Sequence, residues 1–148
     1  VKAVYDRSDE LVRWAEQRLD VVRHQGFPEG ARAIGVQAAD GQIMGVVVFH
    51  DYQPAYRTIQ VSAVADDPRW MRARSAFQLM FRYAFDVCGA DKIYSLTPAK
   101  NGRALRFVWG LGFKPEAVLK RQFGRDDAVV SALFREEFYE QAQTAACA

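Results

Sequence analysis

Three arginines stand within six residues, in the run Arg69-Trp70-Met71-Arg72-Ala73-Arg74. A guanidinium keeps its charge at any physiological pH and can grip a phosphate through two parallel N–H bonds. The helix dipole disfavours cations at a helix start, so a cluster of them where a helix opens points to an anion. A solvated helix face is the plainer alternative, and the backbone phosphates of a nucleic acid are a third. For proton transfer the chain offers His50, which titrates near neutrality, and Ser62, whose hydroxyl can orient a water or a leaving group. These two are the expected catalytic residues, although a partly buried histidine and a simply hydrogen-bonded strand serine are the ordinary readings. Tyr94 reads equally well as core, and Glu116 as a surface or substrate-side carboxylate.

The whole chain sets bounds on that chemistry. Its 148 residues suit one domain spanning 1–148, and half of them are hydrophobic, enough to bury a core without disulfides or a metal. Formal net charge is only +2, from 20 basic and 18 acidic side chains, which argues against a general nucleic-acid coat. Cys88 falls in an apolar helical pattern and Cys147 lies beside the C-terminus, so neither reads as a metal ligand or a structural disulfide. No metal is expected. No apolar run approaches the roughly 20 residues of a membrane span, and no signal-peptide pattern opens the chain. The expectation is a cytoplasmic protein with no membrane partner.

Periodicity supplies the elements that must position these residues. Ala3 to Tyr5 reads as a short strand, and Ser8 as the N-cap of a helix with Leu11, Trp14, Ala15, Leu19 and Val22 on one face. Ala33–Ala39 and Gln42–Tyr52 are strands around an Asp40-Gly41 turn, with Gly45 marking a bulge or a close backbone approach. Thr58–Val64 is the next strand, with Ile59, Val61 and Ala63 on one face. A long helix then opens at Arg69–Arg74 and runs to about Val87, stopped by Gly89. Ile93–Leu96 is a short buried strand. Asn101 caps a second helix, strands follow at Glu116–Phe123 and Ala128–Phe134, and Glu136–Ala146 closes the chain as a helix. The order is β, α, three antiparallel strands, α, β, α, two strands and a C-terminal helix: an α/β (α+β) domain with a mixed sheet.

Within this order, Asn101-Gly102-Arg103-Ala104-Leu105-Arg106-Phe107-Val108-Trp109-Gly110-Leu111-Gly112-Phe113 resembles a signature of the GNAT superfamily of acyl-CoA N-acyltransferases. Lys114–Lys120 resembles the family strand that follows Gly-Phe. Tyr83-Ala84-Phe85 and Gly89–Ile93 resemble the end of its cofactor helix and the strand beyond. The similarity covers Thr58 to Glu137. It implies acetyl-CoA, or another acyl-CoA, bound in a V-shaped split between the fourth and fifth strands. The pantetheine arm would pair with the backbone of the fourth strand at Ala63 and Val64, and Asn101 would also contact the cofactor. The pyrophosphate would sit at the loop before the long helix, at Arg69, Trp70, Met71, Arg72, Ala73 and Arg74. The implied activity is transfer of an acetyl or acyl group to a primary amine by direct attack, and GNAT proteins are commonly monomers or dimers, which leans the expectation towards a homodimer.

The pyrophosphate loop departs from the family. Its pattern of Gln or Arg, two residues, Gly, one residue, then Gly or Ala falls on Pro68-Arg69-Trp70-Met71-Arg72-Ala73, and only Ala73 fits. Met71 takes the first glycine position, where a bulky side chain crowds the phosphate. Arg69, Arg72 and Arg74 are the expected substitute. The usual catalytic residues do not carry over either. Val108 stands where many members have Tyr, Ala104 where others have Ser, and Arg57 and Thr58 where some have Glu. A non-catalytic binding protein and a nucleic-acid-directed protein are the competing readings, and the amine acceptor is not specified.

Overall fold

The run Met44 to Phe49 is buried without a break, which a strand can sustain only where both faces of its sheet are covered. In the computed structural model, which describes residues 1–19 and 25–147, this run is the middle of the sheet. Seven strands are ordered β1-β2-β3-β4-β5-β7-β6. They are β1 (Lys2–Val4), β2 (Arg32–Gln37), β3 (Ile43–Gln53), β4 (Thr58–Ala65), β5 (Lys92–Pro98), β6 (Lys114–Phe123) and β7 (Asp126–Phe134). Among the described residues four α-helices accompany them: α1 (Ser8–Glu16), α2 (Arg74–Arg82), α3 (Gly102–Gly110) and α4 (Arg135–Cys147). The expected order of elements is the observed one.

Strand alternation divides the apolar residues between two layers. Val46 and Val48 join Val4, Leu11, Ala15 and Ala33 beneath α1. Val47 and Phe49 face the other way, into the larger core with Ile59, Val61, Ile93 and Leu133 of the sheet and Phe77, Met80, Phe81 and Phe138 of the helices.

Three expectations need correction. Ser8 is the first residue of α1 rather than its cap: Arg7 holds the N-cap position with no side-chain bond, and the Ser8 hydroxyl accepts from the Ala33 amide at 2.9 Å, fastening α1 to β2. That helix ends at Glu16, so Leu19 lies beyond it, and Val22 is outside the described residues. The long helix expected from Arg69 to Val87 is three segments. A 3₁₀ turn covers Pro68–Arg72, α2 follows, and a π-helical turn covers Tyr83–Val87 before Gly89 at φ +76°. Ala73, at φ −79° and ψ +62°, makes the first break.

That break lets Trp70 turn into the core. The Trp70 indole is 4% exposed and meets the rings of Phe77 and Phe107 at 5.1 and 5.4 Å. It lies so close to β3 that a Cβ on Gly45 would sit 2.4 Å from its Cε3, which is why that position is glycine. The close approach anticipated at Gly45 is therefore made by the side chain of Trp70.

All strand neighbours are antiparallel except β4 and β5, which are parallel. Their pairing lasts only from Thr58–Lys92 to Gln60–Tyr94. Beyond it β4 continues to Ala65 on β3, and β5 continues to Pro98 on β7, so the two strands part towards their C-terminal ends. Ala63, expected on the same face as the buried Ile59 and Val61, is exposed because β5 has left it.

Candidate active site

In a regular strand His50 and Asp51 would project to opposite faces. Here they bond to each other. Between the registered pairs His50–Gln60 and Gln53–Thr58, β3 carries one residue more than β4, a β-bulge. Asp51 takes the strain of it at φ +53°, a left-handed conformation that costs a non-glycine residue about 1–3 kcal/mol. The kink turns its carboxylate back onto His50, with Oδ2 at 2.5 Å from Nδ1. The other ring nitrogen, Nε2, is 2.8 Å from the Oγ of Ser62 on β4.

The imidazole is 8% exposed and has the ring of Phe27 at 5.1 Å. Burial pushes the His50 pKa below its ordinary value, and the bond to Asp51 opposes that shift only in part. A neutral ring next to a carboxylate places its one hydrogen on Nδ1, which donates to Asp51, and leaves Nε2 to accept the Ser62 hydroxyl. Ser62, His50 and Asp51 thus form a continuous hydrogen-bonded chain. Tyr94 faces the same region from β5: it is half-buried, and burial first and the Asp51 charge second raise its pKa.

The lowered pKa has a consequence for stability. The unfolded chain takes up the histidine proton at about pH 6.5, before the folded one does. Stability from a neutral His50 is therefore complete above pH 6.5 and is lost as the pH falls through the folded pKa. In His50→Gln, unfolding free energy measured by denaturant titration should fall less steeply with pH over that window. An unchanged pH profile would contradict a buried neutral imidazole.

Ser62 lies two residues past Gln60, the last β4 residue paired with β5. From Val61 to Ala65 the edge of β4 that faces β5 has no strand partner, so it can pair with an extended ligand as with an added strand. Across the parting, Ser95 of β5 is buried and its Oγ has no hydrogen-bond partner among the described residues. Buried hydroxyls of this kind are commonly met by an ordered water.

At the outer end of β4, past Ala65, a groove of ≈ 390 Å³ is lined by Arg69, Arg72, Ala73, Arg74, Ser75 and Ala76 together with Val1 and Lys2. Ala73 holds the N-cap of α2 without a side-chain acceptor; the Ala76 and Phe77 amides donate to its carbonyl, which leaves those of Arg74 and Ser75, two residues that line the groove, without a cap. Arg72 and Arg74 make no ion pair among the described residues. Arg69 is different: its guanidinium is bound by Asp67 at 2.6 to 3.1 Å. Met71 packs against the larger core and does not line the groove.

The expected site residues therefore sort by place. His50 and Ser62 come together; Ala63 and Val64 lie on the free stretch of β4; Arg72, Ala73 and Arg74 form the groove. Trp70 belongs to the core, and Asn101 uses its side chain to cap α3, accepting from the Ala104 amide at 3.1 Å. Glu116 bonds Lys92 at 2.7 Å instead of joining the histidine. Asp51 and Ser95 went unanticipated. The sequence marks neither, since one depends on a bulge and the other on burial in the folded sheet. No three His, Cys, Asp or Glu side chains cluster as metal ligands would among the described residues. No helix among them is long and apolar enough to cross a membrane.

No protein-family model matches the chain, and no curated protein sequence does. Solved structures do. A chimera of the spermidine N-acetyltransferase SpeG from Vibrio cholerae with hSSAT aligns over 95% of this chain and 99% of its own, at TM-score 0.74 and 16% identity. The Vibrio cholerae spermidine/spermine N-acetyltransferase SpeG in complex with manganese ions aligns over 95% of each chain, at TM-score 0.74 and 14% identity. Mutant forms of that Vibrio cholerae enzyme align over 90% of this chain and 80% of theirs, at TM-score 0.68 and 17% identity. The chain has the GNAT fold. The parting of β4 and β5 beyond Gln60 and Tyr94 corresponds in position to the split expected from the sequence, and the hydrogen-bonded Ser62, His50 and Asp51 lie beside it.

Proposed function

We propose that the protein moves an acyl group from acyl-CoA, acetyl-CoA in the first instance, to a primary amine by direct attack in a ternary complex. One coincidence carries this reading: the sheet parts after Gln60 and Tyr94, and the hydrogen-bonded chain begins at Ser62, the next β4 residue on that face. The free edge of β4 at Ala63 and Val64 pairs with the pantetheine arm. Arg72, Arg74 and the first amides of α2 take the phosphates.

A primary amine is protonated in neutral water and must lose that proton before it attacks. Its proton passes through the Ser62 hydroxyl to His50, whose positive charge Asp51 balances. The nitrogen lone pair then adds to the thioester carbon, N–C forms, C–S breaks, and the proton held by His50 passes to the departing thiolate. The second proton of the former ammonium nitrogen leaves to solvent, so that a neutral amide and the CoA thiol result. Amides on the free edge of β4 polarise the carbonyl as charge develops on its oxygen. The protein thus supplies orientation, a base and an oxyanion partner, and no covalent intermediate is needed when an amine is present.

The test is release of free CoA thiol from acetyl-CoA across a panel of primary amines. Spermidine and spermine, named for the similar structures, are the first acceptors to try. Amine-dependent release supports the reading, and none with any amine while acetyl-CoA is bound contradicts it. Arg72→Ala and Arg74→Ala should each weaken acetyl-CoA binding about 10-fold, the loss of one charge-assisted contact of about 1.4 kcal/mol. Arg69→Ala should matter less, because Asp67 already holds that side chain. Calorimetric binding measures all three, and equal affinities for Arg72→Ala, Arg74→Ala and the parent would refute the phosphate role.

A further inference from the structure

We propose that Ser62 is an activated nucleophile that takes the acyl group from the thioester when no amine is bound, so that the protein also hydrolyses acyl-CoA. The inference rests on the acyl-CoA reading above for its substrate, and on geometry alone for the nucleophile. Three groups are linked end to end: Ser62 Oγ to His50 Nε2 at 2.8 Å, and His50 Nδ1 to Asp51 Oδ2 at 2.5 Å. A buried imidazole needs only one partner on each nitrogen, and a backbone carbonyl or a neighbouring hydroxyl would serve. The chain instead holds Asp51 in a left-handed conformation at φ +53°, inside a bulge, to bring a carboxylate onto Nδ1. Aspartate adopts this left-handed conformation more readily than most residues, and here it is the bulge that turns the carboxylate onto the ring. An oriented carboxylate, a neutral imidazole and a serine hydroxyl are the parts that make serine nucleophilic on unrelated folds.

Position adds to this. The imidazole is shut away, but Ser62 is only half-buried, on the strand whose β5-facing edge is free from Val61 onward. The amides of that edge are the donors a tetrahedral oxyanion requires.

The steps balance without an added reagent except water. Ser62 Oγ adds to the thioester carbon as its proton moves to His50 Nε2. The C–S bond breaks, the thiolate takes that proton, and an acyl-serine ester remains. Water then adds to the ester carbon, giving its proton to His50. The C–O bond to Ser62 breaks, and the serine oxygen recovers the proton as the carboxylic acid leaves. Asp51 acts through His50 and is a positioning residue.

The experiment uses the whole chain and two probes. An alkyl fluorophosphonate, which needs no CoA site, is followed by intact mass and peptide mapping. Acetyl-CoA without amine is followed by intact mass after rapid acid quench. The expected result is one equivalent of phosphonate on Ser62, absent in Ser62→Ala and slowed about 100-fold in His50→Gln, with acetyl-CoA adding one acetyl group at the same residue. Asp51 raises the His50 pKa, so in Asp51→Asn the midpoint of labelling rate against pH should move lower. A structural role for Asp51 would not move it. Circular dichroism confirms that each variant folds. Ser62 left unlabelled by the phosphonate, in folded protein that transfers acetyl groups to amines, overturns the inference and leaves the acyl-CoA reading in place. Phosphonate on Ser62 with neither binding nor turnover of acetyl-CoA supports the activated serine and overturns the acyl-CoA reading.

Discussion

Trp70→Ala is expected to destabilise the domain by about 3–5 kcal/mol, the range for removing a buried aromatic side chain. The indole is the contact through which four parts of the chain meet. It comes from the 3₁₀ turn, lies flat on Gly45 of β3, and packs against Phe77 of α2 and Phe107 of α3. Its loss leaves a cavity that Gly45, having no side chain, cannot fill. The reciprocal change, Gly45→Ala, drives a methyl to 2.4 Å from the ring and should cost about 1–3 kcal/mol through overpacking. Urea unfolding measures both. The effect reaches function as well, because the same turn carries Arg72 and Ala73 at the lip of the groove. Trp70→Ala should therefore weaken acetyl-CoA binding although the indole lies outside the groove. A stability loss under about 1 kcal/mol would mean that the turn is held by something else.

The second large effect falls on rate. His50→Gln should lower amine acylation by about 10²- to 10⁴-fold, the usual contribution of a positioned general base. Glutamine can still bond Ser62 and Asp51, so the polar network keeps partners while losing a group that can hold a proton. Affinity for acetyl-CoA should not change, since His50 does not line the groove and its ring hydrogen-bonds Asp51 and Ser62 rather than Ala63 or Val64. The expected signature is a fall in kcat with an unaltered acetyl-CoA dissociation constant. A variant that acylates at the parent rate would move the base elsewhere, with Tyr94 the first residue to test.

Local pattern carried most of the fold. The β-former-rich runs of β2 and β3, the alternation of β4, the Asp40-Gly41 turn, the Asn101 cap and the Gly89 stop are all features of neighbouring residues, and each is found in the fold. The segmentation of the long helix was not legible in this way. Arg69 to Val87 contains no strong breaker, and the interruption at Ala73 follows from seating Trp70 against a glycine some 25 positions earlier. For the same reason Trp70 read as part of a phosphate loop. Arg69 read as a free cation because the reach of Asp67, two residues before it, depends on the turn between them.

The site was half legible. His50 and Ser62 stood out by chemical type, and their meeting needs only β3 and β4 to pair in register. Asp51 was hidden because alternation assigns neighbouring strand residues to opposite faces, and only the bulge overrides it. Ser95 was hidden because its burial and its lack of a bonded partner among the described residues arise only in the folded sheet. Both are tertiary facts without a local signal.

The central claim is that an acyl-CoA lies in the parting of β4 and β5, with its phosphates at Arg72 and Arg74. Thermal unfolding of the purified protein with and without saturating acetyl-CoA tests it most directly. A ligand that binds only the folded state, at about 100 times its dissociation constant, adds about 2.7 kcal/mol. In a domain of this size the midpoint should rise by about 5–10 °C. The account predicts that rise, its absence with adenosine, and its loss in the Arg72→Ala, Arg74→Ala double variant. No rise with acetyl-CoA, a longer acyl-CoA or free CoA would contradict it.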